Sequence, residues 1–323
     1  MDRRDFLKMA TMSAAAFAAD SLLHKGSAEM KPASSNAPTL PRRAYGKTGV
    51  QLSIIGFGGI VVMNAEQENA NRAVADAVER GVNYFDVAPS YGNAEEKLGP
   101  ALEPYRKNAF LACKTGQRSR EGAQAELKRS LERLRTDYFD LYQLHGMTDV
   151  KKDVDAAFAE GGAMEVLIEA KKAGQIRYLG FSAHSDAAAL AALDRFEFDS
   201  VLYPVNYASW FKGKYGQKTM ERAQAKGAAR LALKGLARQA WPEKDRARDT
   251  WKKCWYQPIT DQREQELALR WTLSQPVTAA VTPGEEALLH RAIEIGMAFT
   301  PITAEEEQEL KILAEQMTPI FRS

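Results

Sequence analysis

Val82-Asn83-Tyr84-Phe85-Asp86 is a short, mostly apolar run that stops on a carboxylate. The form recurs: Phe110-Leu111-Ala112-Cys113 is followed by Lys114, and Phe139-Asp140-Leu141-Tyr142-Gln143-Leu144 by His145. Short runs of this kind, bounded by turn signals, have the length of buried strands. Working outward, five more complete a series: Ser53 to Phe57, Ile176 to Phe181, Ser200 to Tyr203, Leu231 to Leu233 and Val277 to Val281. Amphipathic helical patterns lie between them. Ala70, Ala73, Val74, Ala77 and Val78 share one helical face, as do Ala123, Leu127, Leu131 and Leu134. Gly81 follows the first pattern, and Gly174 follows the helix that carries Met164, Leu167 and Ile168, where C-terminal caps belong. Strand and helix alternating at roughly thirty-residue intervals is the sequence form of parallel βα units. Eight such units predict an α/β fold, a single-domain (β/α)8 TIM barrel, rather than an open doubly wound sheet with fewer strands.

The 323-residue chain holds 45% hydrophobic and 27% charged residues, a balance that suits a globular core and not a membrane-spanning protein. A net charge of +2, with acids and bases interspersed, offers no basic stripe for nucleic acid. Cys113 and Cys254 cannot make a CxxC-type metal site or a multi-bridge framework, although one bridge between them stays open. Residues 1–28 stand apart. Arg3 and Arg4, then Phe6, Leu7 and Lys8, precede a mildly apolar run from Met9 to Ala19 that is too short to span a bilayer. The segment resembles a twin-arginine (Tat) export signal, which implies folding in the cytoplasm, passage through the Tat machinery and a periplasmic location. Residues 29–41, rich in Ser, Ala, Pro and Asn, read as a flexible linker, and 42–323 as the barrel domain.

Asp86, Lys114 and His145 each follow a predicted strand, and in a barrel the strand ends converge on one mouth. Tyr91, five residues beyond Asp86, reaches the same place. Two long connections, Gly146 to Gly162 and Gly235 to Asp261, also follow strands and are candidate substrate loops on that face.

The stretch Tyr84-Phe85-Asp86-Val87-Ala88-Pro89-Ser90-Tyr91-Gly92, continuing to Glu95, Leu98 and Gly99, resembles the aldo-keto reductase signature. Lys114 and His145 fall where that family has its other two catalytic residues. Lys47-Thr48-Gly49 with Gly56-Phe57-Gly58-Gly59 is similar to the family's opening β-hairpin and first strand, and a terminal helix is read over Glu305 to Met317. The resemblance implies an oxidoreductase that transfers hydride between a nicotinamide cofactor and a small carbonyl or alcohol substrate. In it Tyr91 is the general acid, Lys114 the cation beside the phenol, Asp86 its counter-charge, and His145 the group that orients the carbonyl.

For the cofactor, the same resemblance implies contacts from Gly58, Gly59 and Ser182. Ala183 stands where the family commonly has asparagine, so His184 is either a new contact or the start of a helix. Asn206 is a candidate amide donor, with Tyr207 as a stacking face. Lys234 either faces the cofactor pyrophosphate or is solvent-exposed. Gly284, at a helix start, can present backbone N–H groups to phosphate. Glu285 and Glu286 depart from the family: NADP(H) is its usual cofactor, yet acids here would repel a 2′-phosphate, and NAD(H) competes, with an inward Glu285 accepting a ribose hydroxyl or both acids simply favouring a helix N-terminus. An exported enzyme would need its nucleotide tightly bound and recycled in place. Trp210, Trp241, Trp251, Trp255 and Tyr256 are candidate substrate faces or loop anchors. A nicotinamide-binding sensor or interaction subunit is the alternative in a different class, and the intact tetrad argues against it.

Overall fold

The protein is seen in a computed structural model that describes residues 39–323. The expected export signal and all but the end of the expected linker lie outside the described residues. That end belongs to the fold: Leu40 is buried and donates its N–H to the Arg80 carbonyl, so the packed body includes residue 40, ahead of the expected boundary at residue 42.

Eight parallel strands close into a barrel: β1 (Ile55–Gly58), β2 (Tyr84–Asp86), β3 (Phe110–Thr115), β4 (Phe139–Met147), β5 (Ile176–Ala183), β6 (Ser200–Pro204), β7 (Ala229–Leu233) and β8 (Ala279–Val281). Each is followed by a helix: α1 (Gln67–Glu79), α2 (Ala94–Leu102), α3 (Arg120–Arg133), α4 (Ala163–Lys172), α5 (Asp186–Arg195), α6 (Gln217–Lys226), α7 (Gln262–Ser274) and α8 (Glu286–Met297). A terminal helix, α9 (Ala304–Glu315), starts at a capping box in which Thr303 and Glu306 exchange hydrogen bonds. The antiparallel hairpin Arg42–Ala44 with Gln51–Ser53 precedes the barrel.

Strand parity divides the apolar residues into two sets. Tyr84, Phe110, Ala112, Leu141, Leu202, Leu231, Ala279 and Val281 pack together inside the barrel, where Tyr45 of the hairpin turn joins them and donates its hydroxyl to Ser200 Oγ at 2.8 Å. The alternate residues, such as Phe85, Leu111, Cys113 and Tyr142, face the helices. Parity therefore decides what points into the mouth. Asp86 follows Tyr84 by two, Lys114 follows Ala112 by two, and Gln143 follows Leu141 by two, so all three top the interior stack. Lys114 and Gln143 are also cross-strand partners.

The barrel seam joins β8 to β1, where Gly58 N–H donates to Thr282 Oγ1 at 3.1 Å. A Cβ on Gly58 would lie 2.2 Å from the Thr282 carbonyl oxygen, so only glycine lets the two strand ends approach this closely.

The strand starts at the opposite face are held by Asp140 on β4. Its carboxylate takes Arg106 Nη1 and Arg177 Nη1, each at 2.9 Å, and the Leu111 N–H at 2.9 Å. Replacing it leaves the partly buried Arg106 charge and a buried N–H without their acceptor. Asp140→Ala is expected to cost about 3 kcal/mol, a fall in Tm of roughly 6 to 12 °C for a domain of this size. Calorimetry checks this, and a shift below roughly 2 °C would show that the network carries little of the stability.

Candidate active site

At the mouth, the Lys114 ammonium is fully buried and satisfied on two sides, by Asp86 Oδ1 and by the Val87 carbonyl at 3.0 Å. Asp86 is shared further: its Oδ2 accepts from Gln143 Nε2 at 3.1 Å and from the Tyr84 hydroxyl at 3.3 Å. Burial works against the Lys114 charge, but the Asp86 carboxylate, through its charge and hydrogen bond, together with Tyr91 and Cys113 outweighs it and holds the lysine above its ordinary range.

The ammonium lies 5.1 Å from the centre of the Tyr91 ring, and that ring meets His145 edge-on at 5.7 Å. Burial pushes the Tyr91 phenol up, while the charge and hydrogen bonding of Lys114 pull it partway back. Burial prevails, so near neutrality Tyr91 keeps its proton beside a permanent cation. That is the state a proton donor requires. His145 is pushed down to about 3 by burial first, then by the charge of Lys114. It is a neutral ring, able to donate one N–H to a developing oxyanion. Its Nδ1 lies 3.4 Å from Ser90 Oγ, and Arg118 steadies the strand behind it by donating to the His145 carbonyl at 2.7 Å.

The four predicted catalytic residues thus come together, although Asp86, Lys114 and His145 lie within their strands rather than just beyond them. The residues expected around the cofactor divide. Gly58, Lys234 and Gly284 line one cleft with Asp86, Tyr91, Trp255, Tyr256 and Thr282, an open space of about 490 Å³ that runs from Tyr91 to the start of α8. Gly59 does not line that cleft: a Cβ there would lie 2.8 Å from the Val87 side chain, so its glycine serves packing. Ser182 Oγ accepts the Gly146 N–H at 2.7 Å, leaving its proton available.

Asn206 has no donor to spare. Its amide nitrogen donates to the carbonyls of Ala237 at 2.6 Å and Lys234 at 3.2 Å, while its oxygen caps the short helix Tyr207–Phe211 through the Ser209 N–H. Tyr207 is buried and donates to Glu264, so its ring is not a stacking face in the mouth. Glu285 is also committed, accepting the Lys253 N–H at 2.8 Å. Cys113 and Cys254 are both free and buried.

Of the two long connections, 235–261 covers the cleft. It folds on a small hairpin, Ala237–Gln239 with Gln257–Pro258, and is pinned by Trp241 Nε1 donating to the Cys254 carbonyl and by Lys253 Nζ donating to the Val61 carbonyl. Trp255 and Tyr256 face the cleft, whereas Trp210 packs on Trp271 and Trp251 on the core. None of the residues lining that cleft comes from 146–162, whose Asp153 pairs with Arg118 at 3.2 Å. Three further residues shape the site. Gln143 broke an apolar strand run with a polar side chain of the right parity, a signal present in the sequence, but Lys253 and Thr282 gave none.

Residues 55–315 match the model of the aldo/keto reductase family. An uncharacterized oxidoreductase of Bacillus subtilis is 34% identical over 155 residues, 44% of this chain and 48% of that protein. The L-galactose dehydrogenase of Arabidopsis thaliana is 31% identical over 43% of this chain and 47% of its own length, so the chain spans about half the length of these curated relatives. Among solved structures, the holo form of an aldo-keto reductase from Bacillus halodurans superposes with a TM-score of 0.68 at 25% identity, covering 86% of this chain and 98% of that one. The chain belongs to the aldo/keto reductase family.

The depressed histidines have a consequence for stability. His184, pushed down to about 4 by burial and by Lys234, joins His145 in remaining neutral when folded. Unfolded, both take a proton below a pKa of about 6.5, so the unfolded state binds more protons as pH falls and stability drops from there toward pH 4. Between pH 7.5 and 5.5 each should cost about 1 kcal/mol. Urea unfolding at the two pH values, with NMR of the ring protons, checks this; titration of His145 near pH 6.5 would overturn it.

Proposed function

We propose that this member of the aldo/keto reductase family reduces a carbonyl compound, or oxidises the matching alcohol, with Tyr91 as the acid–base residue. The observation that carries the reading is the buried Lys114–Asp86 pair set against Tyr91 and His145 at the barrel mouth.

The cleft suits an extended nicotinamide nucleotide. Its lining takes in both Tyr91 and Gly284, and Gly284 stands just ahead of α8, whose N-terminus favours phosphate. When bound, the nicotinamide supplies and accepts the hydride. The chain supplies the rest. His145 holds the carbonyl oxygen through its neutral ring, Tyr91 gives that oxygen its proton, and Lys114 stabilises the phenolate left behind. Asp86 keeps the lysine charged and aimed, and Gln143 and Tyr84 keep Asp86 in place. In the oxidative direction the same groups run in reverse. A sensor that only binds nucleotide would need none of this proton machinery, and Tyr91→Phe separates the two readings. Single-turnover hydride transfer is expected to fall roughly 10² to 10⁴-fold with nucleotide affinity retained; equal rates would refute the acid role.

For the nucleotide we favour NAD(H) over NADP(H). Glu285 and Glu286 open α8 where a 2′-phosphate would need cations, and Glu285 is fixed there by the Lys253 N–H. Arg3 and Arg4 with their flanks further support export of the folded chain through the Tat machinery to the periplasm, with the nucleotide carried inside and recycled between two substrates. Mass spectrometry of protein isolated from the periplasm and then denatured addresses both points. NAD(H) should be released in about equimolar amount; release of NADP(H) would overturn the preference, and no nucleotide would sink the retained-cofactor idea.

A further inference from the structure

Lys234 is the residue that the proposed reaction leaves unexplained. It follows β7 with φ of 69°, a left-handed conformation that a lysine adopts only when its surroundings hold it there. Asn206 supplies that hold, since its buried amide donates to the carbonyl of Lys234 itself and to that of Ala237, which closes the turn by returning its N–H to Lys234 at 2.9 Å. The strained turn directs the side chain into the cleft beside Asp86 and Tyr91.

There the ammonium rests on two aromatic faces, 4.6 Å from the centre of Tyr256 and 5.0 Å from that of Trp255. It makes no hydrogen bond and no ion pair among the described residues. Asp86, the carboxylate that lines the same cleft, is engaged by Lys114. Burial pushes Lys234 down to about 8, and it lines the cleft together with Tyr91 and Asp86. His184, a neutral ring, packs edge-on against Phe321, which also meets Trp255.

We infer that Lys234, held by Asn206 and backed by Trp255 and Tyr256, receives an anionic oxygen of the substrate, so that the preferred substrates are carbonyl compounds bearing a carboxylate. This rests on the reductase reading of the site. A pyrophosphate oxygen of the nucleotide has the same chemistry, and the start of α8 just beyond Gly284 offers phosphate a separate place beside the same cleft.

The test compares 4-carboxybenzaldehyde with 4-nitrobenzaldehyde in the wild type, Lys234→Met and Lys234→Arg, each loaded with nucleotide. The wild type should prefer the carboxylate, and the ratio of kcat/KM values should fall roughly thirtyfold in Lys234→Met, through KM. Lys234→Arg should keep most of the ratio, because it keeps the charge. An unchanged ratio in the methionine variant overturns the inference while leaving the reductase standing. So does a loss confined to NADH affinity, measured by fluorescence, since the anion would then be the pyrophosphate. Calorimetric binding of benzoate against benzamide to the same proteins gives an answer independent of turnover: benzoate binding should weaken selectively in Lys234→Met, and equal weakening of both overturns the inference. Turnover of neither aldehyde by the wild type would count against the reductase reading itself.

Discussion

A lysine ammonium with no exposure to water is tolerable only if its charge is met at once, and the upper layer of this barrel is arranged around meeting it. Asp86 answers Lys114 directly, but a buried carboxylate has more lone pairs than one ammonium can use, so Gln143 from β4 and Tyr84 from the layer below are drawn in. Taking one charge away would strand the other in a low-dielectric interior, a change that costs several kcal/mol. The pair is thus a poor source of stability and a strong fixer of geometry. It places a permanent positive charge under Tyr91 and His145, and the behaviour of both rings follows from that charge and from burial.

Strand periodicity explains why so much of this was legible in the sequence. Side chains alternate across a strand, so the polar residue that ends an apolar run at the right parity points into the barrel mouth, as its counterparts in other units do. Asp86, Lys114 and His145 could be read that way, and Gln143 carries the same signal inside its run. What stayed illegible was whatever depends on hydrogen-bond partners distant in sequence. Asn206 looks like a free amide until Lys234, Ala237 and Ser209 are seen to use all of it. Glu285 looks like a ribose contact until the Lys253 N–H arrives from the preceding connection. The aromatic residues of 235–261 divide into cleft and anchor only once the loop is folded, because composition does not say which way a loop side chain turns.

The electrostatic character of the mouth also differs from what its residue list suggests. Lys114 is neutralised, whereas Lys234 is not, and the aromatic faces beneath it support its charge without cancelling it. A residual positive potential in a narrow cleft raises the local concentration of anions and favours their approach. Nucleotide and substrate would both feel it.

The seam between β8 and β1 couples this site to the assembly of the fold. Gly58 and Thr282 meet across 224 positions of sequence, among the most distant contacts in the chain, and contacts of such long range are slow to form because the intervening loop must first be ordered. The cleft lies over that same seam, with Gly58 on one bank and Thr282 and Gly284 on the other. A nucleotide lying along it would touch both banks at once and so act as a splint, slowing the opening of the barrel where its closure is most delayed. Its occupancy would then set the lifetime of the closed barrel as well as its chemistry.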